Sequence, residues 1–186
     1  STAYGLADVL SQQARHAEAI PLRRRELAWC REQYGDTDPG TLTSINGLAI
    51  DLRENGELEE AEALFRKLVS SRQQVLESGD FQIGRALGGL AKTLELAGKL
   101  EESVDYSQQV LNHRLAYEGP DAWWTNRERI DLARVLHKLG NNSEALDKLH
   151  EFKASIARIN EPDVDDRKLI SEAEELLRAV QGEAPQ

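Results

Sequence analysis

The chain has 186 residues and a formal net charge of −10. A surface with such an excess of acidic residues repels nucleic acid and anionic membranes, so neither is expected as a partner. No apolar run approaches the ~20 residues that a bilayer-spanning helix needs. The one cysteine, Cys30, excludes an internal disulfide framework and predicts a reducing, cytoplasmic location.

One pattern recurs along the chain at an interval of 42 residues. In each copy a Leu-Ala pair precedes a further leucine and then a glycine. The copies are Leu48-Ala49, Leu52 and Gly56; Leu90-Ala91, Leu94 and Gly98; and Leu132-Ala133, Leu136 and Gly140. The first segment matches in part, with Leu6-Ala7 and Leu10 on the expected core face and Ala14 in the place of the glycine. A fixed interval of this length is typical of stacked helical hairpins, so the sequence predicts an all-α repeat protein.

Apolar residues at helical spacing predict four helix pairs and one final helix, in a single array over residues 1–186. The predicted repeats cover residues about 1–38, 39–80, 81–122 and 123–162, and the final helix covers 163–181. The second helix of the second repeat is expected to end near Glu77. Asp121 is expected to cap the helix that follows it. The final helix has one apolar face and does not follow the repeat, so we expect it to cap the end of the core.

Small residues recur at matching places on both helices of each predicted pair. They are Ala7, Ala49, Ala91 and Ala133 on the first helices, and Ala19, Ala61, Ser103 and Ala145 on the second helices. Small side chains at these places allow the two helices of a pair to approach closely.

These patterns resemble the tetratricopeptide repeat, in the 42-residue form found in kinesin light chain. The segment 34–42, then Asn46-Gly47-Leu48-Ala49 and Glu59-Glu60-Ala61-Glu62, carry the resemblance. It departs where the family usually has histidine, at Asp38, and a second asparagine, at Gly47. The fourth repeat departs most, with Arg129 and Asn142 where apolar residues are expected. The resemblance implies a right-handed α-solenoid of four hairpins plus a C-terminal capping helix.

No catalytic pattern is found in the sequence. The four histidines (His16, His113, His137 and His150) lack metal-ligand spacing. We therefore expect neither an enzyme nor a metal site, and no cofactor. Trp123 and Trp124 are adjacent and cannot both face the core, so one of them is expected to be exposed.

The resemblance implies that the first helix of each pair lines a concave groove that binds peptides. By helical period the groove faces carry six basic and three acidic residues in a chain of net charge −10. The acidic residues are Asp8, Glu54 and Glu95. The predicted peptide-binding residues are Asn46, Arg53, Arg85, Lys92, Arg127, Arg134, His137 and Lys138. Arginines that pair with carboxylates favour an acidic peptide or protein segment as the ligand, and Asn46 would donate to its backbone.

Two non-catalytic functions remain open. One is a peptide-binding module that uses this groove. The other is a structural or oligomerising scaffold arm of a larger multidomain regulatory protein, in which the ends or edges make the contacts. Methionine is absent and the first repeat starts at its second or third residue, which suggests a piece of a longer protein. The sequence does not identify the ligand or the oligomeric state.

Overall fold

The computed structural model describes residues 2–75, 80–159 and 161–182, and within these ranges all regular secondary structure is helical. The helices are α1 (Thr2–Gln12), α2 (His16–Tyr34), α3 (Pro39–Glu54), α4 (Leu58–Val75), α5 (Phe81–Leu96), α6 (Leu100–Tyr117), α7 (Trp123–Leu139), α8 (Asn142–Ile156) and α9 (Val164–Gln181). The predicted all-α fold is confirmed. The end expected for α4 near Glu77 lies outside the described residues. None of the described helices is long and apolar enough to span a membrane.

The helices group into two compact units, Ser1–Gly98 (unit 1) and Lys99–Gln186 (unit 2). In unit 1, each helix from α1 to α4 packs on the helix that follows it, and α3 also contacts α5. In unit 2, α6 packs on α7, α7 packs on α8, and α9 contacts both α7 and α8. The leucines of the repeated pattern in the second, third and fourth copies are all buried.

The turn glycines of the repeat adopt the left-handed backbone conformation that ends a helix. Gly56, Gly98 and Gly140 have φ of 84°, 75° and 88°, which glycine tolerates because it has no Cβ. Ala14 stands at the same place in the first repeat and has φ of 57°. The turn geometry is therefore kept where the glycine is missing, at a local cost of roughly 1–2 kcal/mol.

The predicted small residues are buried on both helices of each pair. Ala49 and Ala61 are both fully buried, as are Ala133 and Ala145. The prediction for Leu6 is wrong, because 51% of it is exposed whereas Leu48 at the matching place is buried. The reason is that α1 contacts α2 but has no preceding helix in the described chain to cover that side.

The capping role of α9 is confirmed by its packing. Leu169, Ala173 and Val180 are buried and join the core of α7 and α8. The unexpected Arg129 is also buried, and its Nη1 donates to the carbonyl of Pro120 and to Asn126 Oδ1, both at 2.7 Å. Hydrogen bonds to two acceptors explain how a charged residue occupies a place where the repeat has apolar ones.

The prediction that Asp121 caps α7 is wrong. The residue before the helix is Ala122, and no side chain makes a capping hydrogen bond there. Asp121 instead accepts hydrogen bonds from Arg158 and from Ser155 Oγ, the latter at 2.9 Å. The Arg158 guanidinium, together with Ser155, holds the pKa of the Asp121 carboxyl below its usual value. Asp121 thus ties the start of α7 to the end of α8.

Candidate peptide-binding surface

Half of the predicted binding residues lie on two neighbouring helices of unit 1. Helical spacing places Asn46, Ile50 and Arg53 on one side of α3, and Arg85, Gly88 and Lys92 on one side of α5. None of these six residues is fully buried, and α3 contacts α5 directly. We call this set of six residues the α3/α5 face.

Two polar side chains of the α3/α5 face have no partner among the described residues. Arg85 is exposed and makes no ion pair or hydrogen bond there, and the half-buried Asn46 makes no side-chain hydrogen bond. Gly88 lies about one turn along α5 from Arg85, and an added Cβ there would meet no atom within 4 Å. A helix-interior glycine costs roughly 0.5–1 kcal/mol relative to alanine, and packing gives no reason for it here. The face therefore combines free donors with an open position on the helix surface.

The other two cations of this face are already paired. Arg53 donates to Glu54 Oε1 from Nε and Nη2, at 2.9 and 2.7 Å, and its guanidinium lies 5.9 Å from the centre of the Phe65 ring. Lys92 donates to Glu95 Oε2 at 2.6 Å, and Glu95 is buried. A ligand carboxylate would have to share these cations with Glu54 and Glu95.

Beneath α3, unit 1 contains a buried charged cluster that the sequence analysis did not predict. Arg23 is buried, and it donates from Nη2 to Asp8 Oδ1 at 2.5 Å and from Nε to Asp51 Oδ2 at 3.1 Å. Asp51 also contacts His16 Nδ1 at 2.8 Å and accepts from Ser11 Oγ at 2.9 Å. Asp8 was predicted to face the groove, but its carboxylate is engaged in this cluster.

The same cluster explains one departure from the family pattern. An added Cβ on Gly47 would lie 3.1 Å from Cζ of Arg23, tighter than an ordinary van der Waals contact. Gly47 thus leaves room for the guanidinium that reaches Asp51. The repeat register could have predicted that this pair is buried. Arg23 stands 42 residues before the buried Phe65, and Asp51 stands 42 residues before the buried Thr93.

The predicted binding residues of unit 2 lie on α7, and its two arginines are neutralised. Arg127 pairs with Asp131 at 3.0 Å and with Glu172 of α9 at 2.9 Å. Arg134 pairs with Asp131 at 2.5 Å and with Glu172 at 3.6 Å. Burial lowers the pKa of Arg127, but Asp131 and Glu172 outweigh it and raise that pKa above its usual value. The capping helix therefore supplies the anions that these cations need.

The last two predicted residues lie at the C-terminal end of α7. His137 Nδ1 is 2.8 Å from Asn142 Oδ1, a contact that ties α7 to the start of α8. This gives Asn142 a role that an apolar residue at that place could not perform. Lys138 is exposed, and it also has an interaction within the protein. Both residues lie at the C-terminal end of the helix, where the helix dipole stabilises positive charge.

Glu128 on α7 is buried and has no hydrogen-bond partner among the described residues. Burial, followed by the nearby charge of Asp131, raises the pKa of its carboxyl to about 8, although Arg114 and Arg127 oppose the shift. The carboxyl is therefore protonated at neutral pH. It is the one strongly shifted acid in the described chain, and the sequence analysis did not single it out.

The prediction that one of the paired tryptophans is exposed is confirmed. Trp123 packs against the core of unit 2, whereas Trp124 is 56% exposed. Their rings meet edge to face with centroids 4.6 Å apart, and the Arg114 guanidinium lies 5.3 Å from the Trp124 ring centre. The exposed ring is thus held in place by an aromatic contact and a cation–π contact. No group of metal-ligating side chains occurs among the described residues.

Comparison with known proteins gives one family match and several fold matches. A sequence model of the tetratricopeptide repeat family matches residues 1–74. The search of curated proteins finds no match. Residues 1–74 are therefore similar to tetratricopeptide repeats, as the sequence predicted, and the fold is a helical-repeat solenoid.

Solved structures extend the fold match to nearly the whole chain. Nearly identical tetratricopeptide-like repeats of a kinesin light chain candidate from Podosopora anserina share 20% identity, with a TM-score of 0.80 and coverage of 97% of this chain and 92% of that one. A variant of that protein gives 22% identity, a TM-score of 0.81 and the same coverage. BtubC (BKLC) from P. vanneervenii shares 14% identity with a TM-score of 0.75, and the match covers 99% of this chain and 82% of that one. The predicted similarity to the kinesin light chain kind of repeat is confirmed for the fold.

Proposed function

We propose that the chain is a non-catalytic protein-interaction module that binds an acidic peptide segment on the α3/α5 face. Tetratricopeptide repeats form a family of protein-interaction modules, and that family relation supports the general function. The observation that carries the specific proposal is the pair of donors on one face, Asn46 and Arg85, that have no partner among the described residues. In a chain of net charge −10, an exposed arginine without a carboxylate is positioned to take one from outside.

Each residue of the face has a different task in the proposal. Arg85 pairs with a ligand carboxylate, and Asn46 donates to the ligand backbone. Gly88 lets that backbone approach the α5 surface closely because it has no side chain. Arg53 and Lys92 add positive potential while keeping their internal partners.

The α7 residues form a separate, conditional surface in unit 2. Arg127 and Arg134 already share Glu172, so a ligand carboxylate binds them only by replacing that contact. His137 and Lys138 lie at the end of the same helix and continue the basic side of α7. The first contact of the ligand is therefore expected in unit 1.

A binding measurement with defined peptides tests the proposal. Fluorescence anisotropy compares labelled hexaglutamate, hexaglutamine and hexalysine, all with blocked ends. We expect hexaglutamate alone to bind, and its affinity to fall as salt is raised from about 0.05 to 0.5 M, because salt screens exposed ion pairs. Arg85→Glu should abolish the binding, while Arg25→Glu, an exposed arginine on α2, should reduce it only slightly. Equal binding of hexaglutamine, or equal loss in the two variants, would refute the assignment.

The scaffold-arm alternative makes a separate prediction. An oligomerising arm changes its mass with concentration, whereas a groove-binding module does not need to. Light scattering of the unliganded protein over a hundredfold concentration range distinguishes the two. A constant monomer mass would count against the scaffold arm.

A further inference from the structure

Arg72 on α4 is buried and forms no ion pair with the part of the chain that the structure describes. Only 4% of it is exposed, and Nη1 donates to the main-chain carbonyl of Gln82 at 2.8 Å. Its Nε has no hydrogen-bond partner, and no described carboxylate forms an ion pair with it. A buried donor or charge without a partner is destabilising, so its presence calls for a physical reason.

The charges around Arg72 do not neutralise it. The described acid whose charge acts on it, Asp80, already caps α5 by accepting from the Gln82 N–H at 2.7 Å. Arg85, three residues further along α5, adds a second positive charge. Burial, followed by the charge of Arg85, lowers the pKa of Arg72 to about 10. Among the described residues, the charges of Arg85 and Asp80 both act on Arg72, but no carboxylate forms an ion pair with either guanidinium.

The 42-residue register shows what the matching place holds elsewhere in the chain. In the preceding repeat the pair is neutral, with Cys30 Sγ lying 3.5 Å from Ser44 Oγ. In the following repeat the pair is a cation and a carboxyl group, and the charge of Arg114 acts on the carboxyl of Glu128.

At the middle place the pattern is incomplete. Arg72 matches Cys30 and Arg114, but the residue matching Ser44 and Glu128 is the fully buried Ala86. The repeat therefore has a cation there and lacks the acid that accompanies it in the next repeat.

We propose that Arg72 and Arg85 together form a carboxylate-binding site in unit 1, which an acidic side chain or the C-terminal carboxylate of a bound peptide occupies. This inference rests on the proposed peptide-binding function and gives it a location at Arg72 of α4 and Arg85 of α5. A planar carboxylate accepts two parallel hydrogen bonds from one guanidinium fork, and the second guanidinium adds charge. The ligand thus supplies the anion that Ala86 does not.

The test uses the full chain and two labelled peptides that separate the sources of the carboxylate. One is hexaglutamate with an amidated C-terminus, and the other is hexaglutamine with a free C-terminus. Anisotropy is measured for the wild type, Arg72→Met and Arg85→Gln, with Arg25→Gln as the matched change of charge. We expect each site variant to weaken binding about tenfold or more, from the loss of a charge-assisted hydrogen bond, and Arg25→Gln to change it less than about twofold.

A second measurement follows Arg72 without any peptide. Its Nε–H signal in a nitrogen–proton correlation spectrum should shift when sodium acetate is added, relative to sodium chloride at equal ionic strength. Arg72→Lys, which keeps the charge but lacks the fork, should bind hexaglutamate more weakly than the wild type and more tightly than Arg72→Met. Circular dichroism confirms that each variant is folded.

The outcomes separate this site from the proposed function. If Arg85→Gln weakens hexaglutamate binding but Arg72→Met behaves like Arg25→Gln, the site is refuted and the proposed function stands. If both variants behave like Arg25→Gln, both proposals are refuted. If acetate shifts the Arg72 signal but neither peptide binds, the site is supported and the proposed function fails. If neither peptide binds and the Arg72 signal does not move, both are refuted. Binding of only one peptide identifies the source of the carboxylate.

Discussion

Two adjacent glycines of α5 have opposite surroundings, so they predict opposite responses to the same substitution. An added Cβ on Gly89 would lie 2.3 Å from Cε1 of Phe65, whose ring is fully buried and cannot move aside. Gly89→Ala should therefore destabilise the protein by about 1–3 kcal/mol through overpacking. Gly88→Ala meets no atom within 4 Å and should stabilise it by roughly 0.5–1 kcal/mol, since alanine favours a helix.

Urea unfolding of the two variants measures this difference directly. Each serves as the control for the other, because both make the same chemical change on the same helix. Gly88→Ala should also weaken the binding of hexaglutamate if the ligand backbone lies against α5. A Gly89→Ala variant as stable as the wild type would contradict the close packing of Phe65 against α5.

The buried carboxyl of Glu128 predicts a stability that depends on pH. Its folded-state pKa of about 8 lies above the ordinary value of 4.5. The folded state therefore holds a proton that the unfolded state releases, and stability falls as pH rises from about 4.5 to about 8. The contribution of this group to stability is fully present below pH 4.5. The size of the pKa shift limits the stability lost between pH 4.5 and 8 to at most about 5 kcal/mol.

Glu128→Gln isolates this effect from the other titrating groups. Glutamine cannot ionise, so the variant should match the wild type near pH 5 and be the more stable of the two above pH 8. The measurement is the free energy of unfolding in urea at several pH values. The difference in unfolding free energy between the two proteins also contains the interactions of the Glu128 carboxylate with Asp131, Arg114 and Arg127, which glutamine lacks. A difference that stays constant from pH 5 to 9 would show that the carboxyl is not protonated in the fold.

At the scale of elements, glycines decide what packs between helices. Gly47 of α3 accommodates Arg23 of α2, and Gly89 of α5 accommodates Phe65 of α4. Because Gly47 and Gly89 are 42 residues apart, as are Arg23 and Phe65, the two junctions have the same geometry with different chemistry. At Gly89 the space is filled by the apolar ring of Phe65, and at Gly47 it is filled by the Arg23 guanidinium, which reaches Asp51.

The contact between α7 and α9 gives a prediction at the same scale. Glu172 of α9 pairs with both Arg127 and Arg134, and all three side chains are about one-third exposed. Glu172→Gln should destabilise unit 2 by about 1 kcal/mol, in the range of partly exposed ion pairs, and less at high salt. Glu175→Gln, an exposed acid on the same helix, should have little effect. Thermal unfolding at two salt concentrations checks this, and equal effects of the two variants would contradict it.

These junctions show which part of the structure the sequence could predict. The interval of 42 residues predicted the paired helices, and the apolar face of the last helix predicted the α9 cap, because burial of leucine and alanine follows mainly from spacing. The pairing of Arg127 and Arg134 could not be predicted, because Glu172 lies on a helix outside the repeat and its position depends on tertiary packing. The free state of Arg85 is known only once the neighbouring carboxylates are placed.

At the scale of the whole molecule, the chain consists of two units that each bury their own core. In repeat proteins, stability is approximately a sum of local and nearest-neighbour contributions, so a substitution that destabilises one region need not destabilise a distant one. Phe65 and Gly89 belong to unit 1, whereas Leu136 and Leu149 are buried in unit 2. Gly89→Ala should therefore lower the opening free energy mainly in unit 1.

Hydrogen exchange followed by mass spectrometry tests this separation. In Gly89→Ala, peptides from α3 and α4 should lose protection, while those from α7 and α8 should keep nearly the wild-type rates, because exchange reports local opening. Glu172→Gln should give the reverse pattern. Because the proposed binding face lies in unit 1, Glu172→Gln should leave the affinity for hexaglutamate unchanged. If α7 also binds the ligand, the affinity should rise, because Arg127 and Arg134 lose their contact with Glu172. Equal loss of protection in both units from either variant would mean that the chain opens as one cooperative body.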